Sequence, residues 1–228
     1  SRVVASRSAL DEEFALEAVD QGAAGEPARW VHLQAVPLED GVAVTLRDIS
    51  VRKWEEERLI ALAQSDALTG LANRAAFRER LLHAMEASRR LRRQALVAVL
   101  YMDIAHFKRI NDTLGHGVGD LVLIAFAERL RGCLRSVDTV ARPGGDEFTV
   151  LLENLDSAAD GERVVEAIFT AMEAPMRIEG RALQVSTSIG VAYYRGEEIT
   201  VDELLRRADN ALYAAKRAGR NQHHVATF

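Results

Sequence analysis

Apolar positions recur along this chain with a helical period in some segments and as short continuous or alternating runs in others. Residues 117–134 carry Leu121, Ile124, Ala127 and Leu130 at helical spacing, which predicts a helix with one apolar face. Beyond residue 66 the pattern predicts helices over residues 73–92, 117–134, 158–174 and 201–217, and strands over residues 96–102, 139–142, 147–152, 176–178 and 183–194 and near Val225. Elements in this order predict an α+β fold in which the helices pack against one sheet.

The first 65 residues follow a different pattern and predict a smaller element. A helical segment is predicted around residues 11–19, followed by two strands over residues 30–36 and 41–47. Residues 50–64 predict a charged helix whose apolar residues are Trp54, Leu59, Ile60 and Leu62. Its heptad pattern is weak and covers barely two repeats. The change of pattern divides the chain near residue 65.

Composition narrows the class of protein. A chain of 228 residues, 48% apolar and 28% charged, is long enough for one substantial core and a smaller element. Its longest apolar stretch, Ala95 to Met102, is far shorter than the roughly 20 residues of a membrane-spanning helix, and no charged-then-apolar leader opens the sequence. We therefore expect a cytoplasmic protein without membrane contact. The net charge of −5 comes without a basic stripe, which argues against polymeric DNA or RNA as a partner.

The cysteine content bears on metal chemistry. Cys133 is the single cysteine, so an internal disulfide framework and a cysteine-built metal site are both excluded. A metal would have to bind oxygen ligands, which favours magnesium.

Four blocks of residues, in a fixed order, resemble one family. They are Arg142-Pro143-Gly144-Gly145-Asp146-Glu147-Phe148 and the segments 66–74, 103–120 and 208–221. Together they resemble the GGDEF-domain diguanylate cyclases over residues 66–228. The resemblance implies a palm-like fold, similar to ferredoxin and adenylyl cyclases, with a central antiparallel sheet flanked by helices.

A second resemblance concerns the amino-terminal part. Residues 46–53 resemble the last strand and exit of a PAS sensor domain, which commonly leads into a dimerising helix. This predicts a partial PAS-like segment over residues 1–50 and a signalling and dimerisation helix over residues 51–65. A generic strand pair with a connecting helix is the alternative interpretation.

The cyclase resemblance implies that two GTP molecules are condensed into cyclic di-GMP and two pyrophosphates across a homodimer. Attack of a 3′-hydroxyl on an α-phosphate calls for divalent ions held by carboxylates. Asp103 at a strand end and Asp146 at a hairpin tip supply carboxylates that adjacent strands would bring together. By resemblance the metal contacts are Asp103, the Ile104 carbonyl, Asp146 and Glu147, with two Mg²⁺ or Mn²⁺ ions per site. Glu147 either holds the second metal or assists deprotonation of the attacking hydroxyl.

Substrate contacts follow from the same resemblance. Gly144 and Gly145 permit backbone conformations that clear room for GTP, although a tight hairpin turn alone would need them too. Asp120 can accept hydrogen bonds from guanine N1–H and the N2 amino group, which adenine cannot offer, and Asn111 can complement the O6 and N7 side. The remaining predicted substrate contacts are Phe107, Lys108, His116, Lys216 and Arg220. The alternative for His116 is that its side chain only hydrogen-bonds to the local backbone. The alternative for Lys216 and Arg220 is that they form an ordinary solvent-exposed helix end.

Arg135 and Asp138 match the family's product-inhibition motif. A guanidinium and a carboxylate three residues apart at a helix end can face one guanine together. This interpretation predicts that cyclic di-GMP binds there and slows its own synthesis. A local salt bridge closing the helix is the alternative.

One residue departs from the family pattern. Ala105 stands where the family usually has a second aspartate, so one carboxylate is missing near Asp103. The alternative function is therefore a degenerate module that binds GTP or cyclic di-GMP as a regulatory receptor. A third hypothesis makes the chain chiefly a PAS-driven dimerisation device.

Overall fold

The computed structural model describes residues 9–16, 29–90, 96–219 and 221–226. The chain divides into two compact units, and the boundary in the sequence falls between Ala63 and Gln64. No helix within the described ranges combines the length and apolar character needed to cross a bilayer.

The first unit is built on a three-stranded antiparallel sheet, formed by β1 (Leu10–Leu16), β2 (Arg29–Leu38) and β3 (Gly41–Asp48) in that order. Helix α1 (Ser50–Gln64) follows β3 directly. The strands predicted over residues 30–36 and 41–47 and the helix predicted over residues 50–64 are confirmed. The role of these elements as part of a sensor and as a signalling helix stays a prediction.

The helix predicted around residues 11–19 is wrong where the structure describes it. Residues 10–16 form β1, which pairs with β2 along its whole length. The Asp11 carboxylate accepts hydrogen bonds from the side chains of His32 and Gln34 on that strand. Pairing with a distant strand has overridden the local preference of the acidic run, as is common for strands. Residues 17–19 lie outside the described residues.

The second unit is a five-stranded sheet with helices on both faces. Its strand order is β10-β9-β4-β6-β5. The pairs β9–β4, β4–β6 and β6–β5 are antiparallel, and β10 runs parallel to β9. The predicted α+β class with a central antiparallel sheet is confirmed, with a parallel edge strand added. The strands are β4 (Leu96–Ile104), β5 (Thr139–Gly144), β6 (Glu147–Leu155), the β7 (Met176–Ile178) and β8 (Arg181–Leu183) hairpin, β9 (Thr187–Tyr194) and β10 (His223–Val225). The helices are α2 (Arg74–Arg90), α3 (Phe107–Leu114), α4 (His116–Gly132), α5 (Ala158–Glu173) and α6 (Val201–Arg217).

Alternate residues of β4 enter two separate cores. Leu100 and Met102 are fully buried in the core that also contains α4 and α5 residues, whereas Val97 and Val99 are buried with residues of α2 and α6. Each such fully buried side chain contributes roughly 1.5–3 kcal/mol of transfer free energy. The strand that carries Asp103 is therefore anchored from both sides of the sheet.

Two predicted boundaries change. The strand predicted over residues 183–194 is interrupted, because β8 ends at Leu183 and β9 begins at Thr187. The Gln184 side chain donates to carbonyls at the end of α5, which fixes the chain between the two strands. The turn predicted at Pro143 to Gly145 lies later in the sequence, because β5 continues to Gly144, which pairs with Glu147. Proline cannot donate to a ladder, and the register shifts between Ala141 and Gly144 where Pro143 stands.

Gly190 provides a test of how α6 packs on the sheet. A Cβ at this position would lie 2.1 Å from the Ala208 carbonyl oxygen and 2.1 Å from the Leu212 nitrogen, both on α6. We expect Gly190→Ala to lower the free energy of unfolding by about 3 kcal/mol, because backbone atoms cannot move aside as a flexible side chain can. Urea denaturation measures the change. The matched control is Gly132→Ala, where a Cβ would meet nothing within 4 Å; equal effects of the two substitutions would contradict the close packing.

Candidate functional site

The candidate site lies where β4 ends beside the β5–β6 hairpin. The β4–β6 register sets Asp103 opposite Glu147, and the main-chain N–H of Ile104 donates to the Asp146 carbonyl over 3.3 Å. Asp103 and Asp146 consequently line one cavity of about 250 Å³. The structure thus brings together the two carboxylates that the strand pattern predicted to meet.

Six of the predicted site residues line this cavity. They are Asp103, Ile104, Phe107, Lys108, Asp146 and Lys216, and Ala105, His106 and Ser188 complete the wall. Phe107 and Lys108 reach it from the first turn of α3, directly after His106 in a left-handed backbone conformation with φ of 58°. Lys216 comes from the last turn of α6.

An ion pair in the wall of the cavity joins the end of β4 to the last turn of α6. The Lys216 ammonium nitrogen lies 2.6 Å from a carboxylate oxygen of Asp103, whose side chain is only 18% exposed. Sequence reasoning placed Lys216 near phosphates and did not foresee this contact. The pair shows that Asp103 attracts a cation at this position.

Divalent metal binding can be judged from the donors present. In the described ranges, no group of three or more His, Cys, Asp or Glu side chains is arranged to hold a metal ion. The cavity does offer the two carboxylates of Asp103 and Asp146 and the backbone of Ile104. Mg²⁺ is bound in this way in many phosphate-handling sites, through one or two carboxylates while keeping several waters. The donor set therefore fits a hydrated Mg²⁺ or Mn²⁺ ion.

Glu147 adjoins Asp146 in the sequence, but its side chain contacts Tyr101 and does not line the cavity. Its carboxylate accepts a hydrogen bond of 2.9 Å from the hydroxyl of Tyr101, and it does not line the cavity that Asp103 and Asp146 share. Burial raises the pKa of Tyr101, and the hydrogen bond and charge of Glu147 raise that pKa further. The hydroxyl is therefore protonated at neutral pH and acts as the donor. Sequence reasoning missed Tyr101, although a polar hydroxyl within an apolar run is a visible signal.

The hairpin turn is held in place by a second interaction that sequence reasoning missed. Gly144 and Gly145 have φ values of 152° and 57°, a region that favours glycine. The Arg142 guanidinium donates to the Gly145 carbonyl oxygen over 2.7 and 2.9 Å. The same group donates to both carboxylate oxygens of Asp66, at 3.0 and 3.1 Å. The signal was present in the sequence, because Asp66 and Arg142 belong to two of the family blocks.

The ionised carboxylate of Asp66 holds the Arg142 side chain in place. Its side chain is 19% exposed and also accepts hydrogen bonds from the Thr69 main-chain N–H and hydroxyl. Burial alone would raise the pKa of Asp66, but the hydrogen bonds from Thr69 and Arg142 and the charge of Arg142 outweigh burial and hold the pKa below its ordinary value. The carboxylate is therefore charged at neutral pH.

The predicted base-recognition residues lie on α3 and α4. Asn111 is on α3, whereas His116 and Asp120 are exposed in the first two turns of α4. The Asn111 side-chain oxygen is buried without a hydrogen-bond partner. It sits so close to Gly119 that a Cβ there would lie 1.8 Å away. None of the three lines the cavity of Asp103, and Arg220 lies outside the described residues.

Arg135 and Asp138 lie apart from this cavity and pair with each other. The Arg135 guanidinium donates to both oxygens of Asp138, at 3.0 and 3.1 Å. The Asp138 side chain is fully buried and also accepts the Arg135 main-chain N–H, whereas the Arg135 side chain is 54% exposed. Arg135 lines a separate cavity of about 370 Å³ together with Asp160 and Arg163. The geometry is that of a local ion pair with its arginine facing solvent.

The comparisons place this arrangement among known proteins. Residues 63–222 match the family described as "Diguanylate cyclase, GGDEF domain". Over 173 residues the chain is 45% identical to diguanylate cyclase TpbB of Pseudomonas aeruginosa, covering 75% of this chain and 39% of that protein. It is also 42% identical over 160 residues to the cyclic di-GMP phosphodiesterase NbdA of the same species, covering 70% of this chain and 20% of that protein. The chain thus spans well under half the length of these relatives.

Solved structures agree with the sequence comparison. The GGDEF domain of TpbB is similar with a TM-score of 0.68 and 45% identity, covering 72% of this chain and 94% of that one. The coiled coil and GGDEF domain of DgcB from Caulobacter crescentus, in complex with c-di-GMP, is similar with a TM-score of 0.70 and 29% identity. That likeness covers 77% of this chain and 93% of the DgcB chain.

The Asp66–Arg142 interaction leads to a stability prediction. We expect Asp66→Asn to lower the free energy of unfolding by about 1–2 kcal/mol at neutral pH, because hydrogen bonds to a charged group are lost. The folded-state pKa of Asp66 is depressed, so its contribution is complete above the unfolded pKa of about 3.9 and is lost as the pH falls through the folded pKa. Urea titrations of wild type and variant should therefore converge as the pH falls below about 4.

The control is a second aspartate–arginine pair of similar geometry on the surface. Asp202 pairs with Arg78 but is 74% exposed, so Asp202→Asn should change stability by less than about 0.5 kcal/mol. If the two substitutions had the same effect, the hairpin would not depend on Asp66.

Proposed function

The chain belongs to the GGDEF-domain family of diguanylate cyclases, and from this membership we propose that it condenses two GTP molecules into cyclic di-GMP and two pyrophosphates. The observation that carries the proposal is the meeting of Asp103 and Asp146 in one cavity with Lys108 and Lys216. Two carboxylates suit a divalent cation, and two ammonium groups suit the phosphates of a nucleotide.

The reaction needs a nucleophile, an electrophile and charge neutralisation at one place. When bound by Asp103, Asp146 and the Ile104 carbonyl, Mg²⁺ would supply Lewis-acid neutralisation of the phosphate oxygens. Lys108 and the amides at the start of α3 would bind terminal phosphates, where a helix start favours anions. Lys216 would move its ammonium from Asp103 to a phosphate oxygen, and Arg220 would add a further cation. Gly144 and Gly145 would let the main chain lie against the nucleotide.

Base preference rests on hydrogen-bond polarity. Asp120 is an exposed carboxylate on α4, and the Asn111 amide on α3 would complement the O6 and N7 side of the base. Guanine presents donors at N1 and N2, whereas adenine presents a lone pair at N1. This supports a preference for GTP over ATP, with His116 as a further contact near the nucleotide.

A homodimer is part of the proposal, because each subunit would hold one of the two GTP molecules. Trp54, Leu59 and Ile60 on α1 are 39%, 66% and 56% exposed. Exposed apolar side chains on one helix support its role in pairing two subunits. A sensor signal would then act by changing how the two α1 helices pair.

A second candidate function is favoured by Ala105. This residue lines the cavity where the family usually has an aspartate. A cavity with fewer carboxylates would bind a divalent ion less tightly. The alternative is therefore a receptor that binds GTP or cyclic di-GMP without turnover and regulates a partner domain.

Incubation with GTP and Mg²⁺ separates the two functions. We expect one cyclic di-GMP and two pyrophosphates per pair of GTP consumed, loss of activity with a chelator, and little turnover of ATP. Asp146→Ala should lower kcat by about 100-fold or more, since several kcal/mol of charge stabilisation are removed. Chromatography and a pyrophosphate assay measure both products. Asp40→Ala, at the tip of the β2–β3 hairpin, is the matched control; GTP binding without either product would instead support the receptor.

Product inhibition at Arg135 makes a further prediction. A guanine could approach the exposed guanidinium from the adjacent cavity, while Asp138 supports it from behind. Arg135→Ala should relieve inhibition by cyclic di-GMP at least about 10-fold, the loss of one charge-assisted fork, with kcat nearly unchanged. Inhibition curves with added cyclic di-GMP measure this. Unchanged inhibition would leave Arg135 and Asp138 as a purely local ion pair.

A further inference from the structure

A third cavity, of about 240 Å³, lies on the face of the sheet that α2 and α6 cover. Its wall comes from those two helices and from β4, β5 and β6, all within the second unit. It shares no lining residue with the cavity of Asp103 and Asp146. The proposed cyclase reaction therefore leaves this cavity without a role.

The wall of this cavity contains a buried hydroxyl without a partner. Thr149 lines the cavity and is 1% exposed. Phe148 and Val150 on either side of it enter the core of α4 and α5, so the Thr149 side chain faces α2 and α6. Its hydroxyl oxygen has no hydrogen-bond partner in the described part of the chain. Because buried hydroxyls are normally paired, this one indicates a place where a polar atom of a ligand is accommodated.

Two charged groups around the cavity are also unpaired. Arg78 and Arg206, which line it, are already bound to carboxylates of α6. Among the described residues, Arg74 and Asp209 take part in no ion pair. Burial and the adjoining carboxylate of β6 raise the pKa of Tyr101 most, while Asp209 adds to the rise and Arg74 opposes it. Both charges therefore act on one hydroxyl in the cavity wall.

The remaining part of the wall is apolar. Phe77, Leu205 and Pro143 line it, and Phe77 is only 2% exposed. An apolar wall with a few polar groups that fix orientation is the usual composition of a small-molecule site. The volume lies below the roughly 300–1,000 Å³ of sites for drug-sized ligands, so the occupant has to be small.

We propose that this cavity binds a free α-amino acid with an apolar side chain. The planar fork of Arg74 binds the carboxylate, and Asp209 binds the ammonium group. The Thr149 hydroxyl donates to the carboxylate, and the apolar body packs against Phe77 and Leu205. A zwitterion suits the cavity better than a simple anion, because it neutralises both unpaired charges and leaves neither one facing a like charge.

Binding is tested with L-phenylalanine by chemical-shift titration of the isotope-labelled chain. L-phenylalaninamide lacks the carboxylate and N-acetyl-L-phenylalanine lacks the ammonium group, so each should bind about 10-fold more weakly. Arg74→Gln should abolish the discrimination against the amide, and Asp209→Asn that against the acetyl derivative. Arg90→Gln, at the exposed end of α2, is the control and should leave the affinity unchanged. No binding of L-phenylalanine at millimolar concentration, or equal binding of the three compounds, would overturn the proposal.

Thr149→Val supplies a readout that does not depend on the probe. Valine keeps the shape of threonine without the unpaired hydroxyl, so the unliganded variant should have a higher urea midpoint while binding L-phenylalanine about fivefold more weakly. The matched control is Thr187→Val, which should lower the midpoint, because the Thr187 hydroxyl donates to the Asp103 carbonyl over 2.7 Å. The titrations contain no GTP, so their outcome is independent of the proposed cyclase activity. A lower midpoint or an unchanged affinity in Thr149→Val would contradict a ligand contact at this hydroxyl.

Discussion

The antiparallel pairing of β4 with β6 is the interaction on which the site depends. It sets Asp103 opposite Glu147 and brings the Asp146 turn against the end of β4. A slip of one residue would turn Asp103 to the other face of the sheet, because side chains alternate along a strand. The slip is prevented by burial, since Met102 fills one core and Val99 the other. The position of the acidic groups therefore follows from the packing of apolar residues around them.

A second constraint acts on the turn itself. Two consecutive glycines with positive φ give a backbone that few sequences can adopt, and hydrogen bonds from Arg142 to the Gly145 carbonyl hold it in one conformation. Arg142 is in turn fixed by Asp66, which follows the end of α1 by two positions in the sequence. One guanidinium thus links the segment after α1 to the turn that carries Asp146. A change in that segment has a direct physical route to a predicted metal ligand.

Most helices and strands of the second unit could be predicted from the sequence, because a single hydrophobic pattern determined each of them. The period of α6 and the apolar run of β4 each allowed one interpretation, and both elements formed as predicted. The acidic residues of β1 were misread because their pairing with β2 depends on a partner distant in the chain. The meeting of Asp103 and Asp146 followed from strand adjacency. The contacts of Lys216, Tyr101 and Arg142 did not, because each joins side chains from separate elements whose rotamers are set only after the core has packed.

The pairing of Lys216 with Asp103 explains how the site tolerates its acidic groups. Asp103 on β4 lies opposite Glu147 on β6, and Asp146 lies in the adjacent β5–β6 turn, so the like charges of these three carboxylates repel one another. Lys216 neutralises the charge of Asp103, and the Tyr101 hydroxyl donates a hydrogen bond to Glu147, so both contacts lessen this repulsion. An aspartate in place of Ala105 would add a negative charge to a cavity wall that has no further cation than Lys108 among its described residues. Ala105 therefore weakens the attraction for a divalent ion but also reduces the repulsion of a polyphosphate. Because Asp103 and Asp146 are retained, the departure changes the charge of the site more than its ligand set, and this is why the cyclase remains the better supported function.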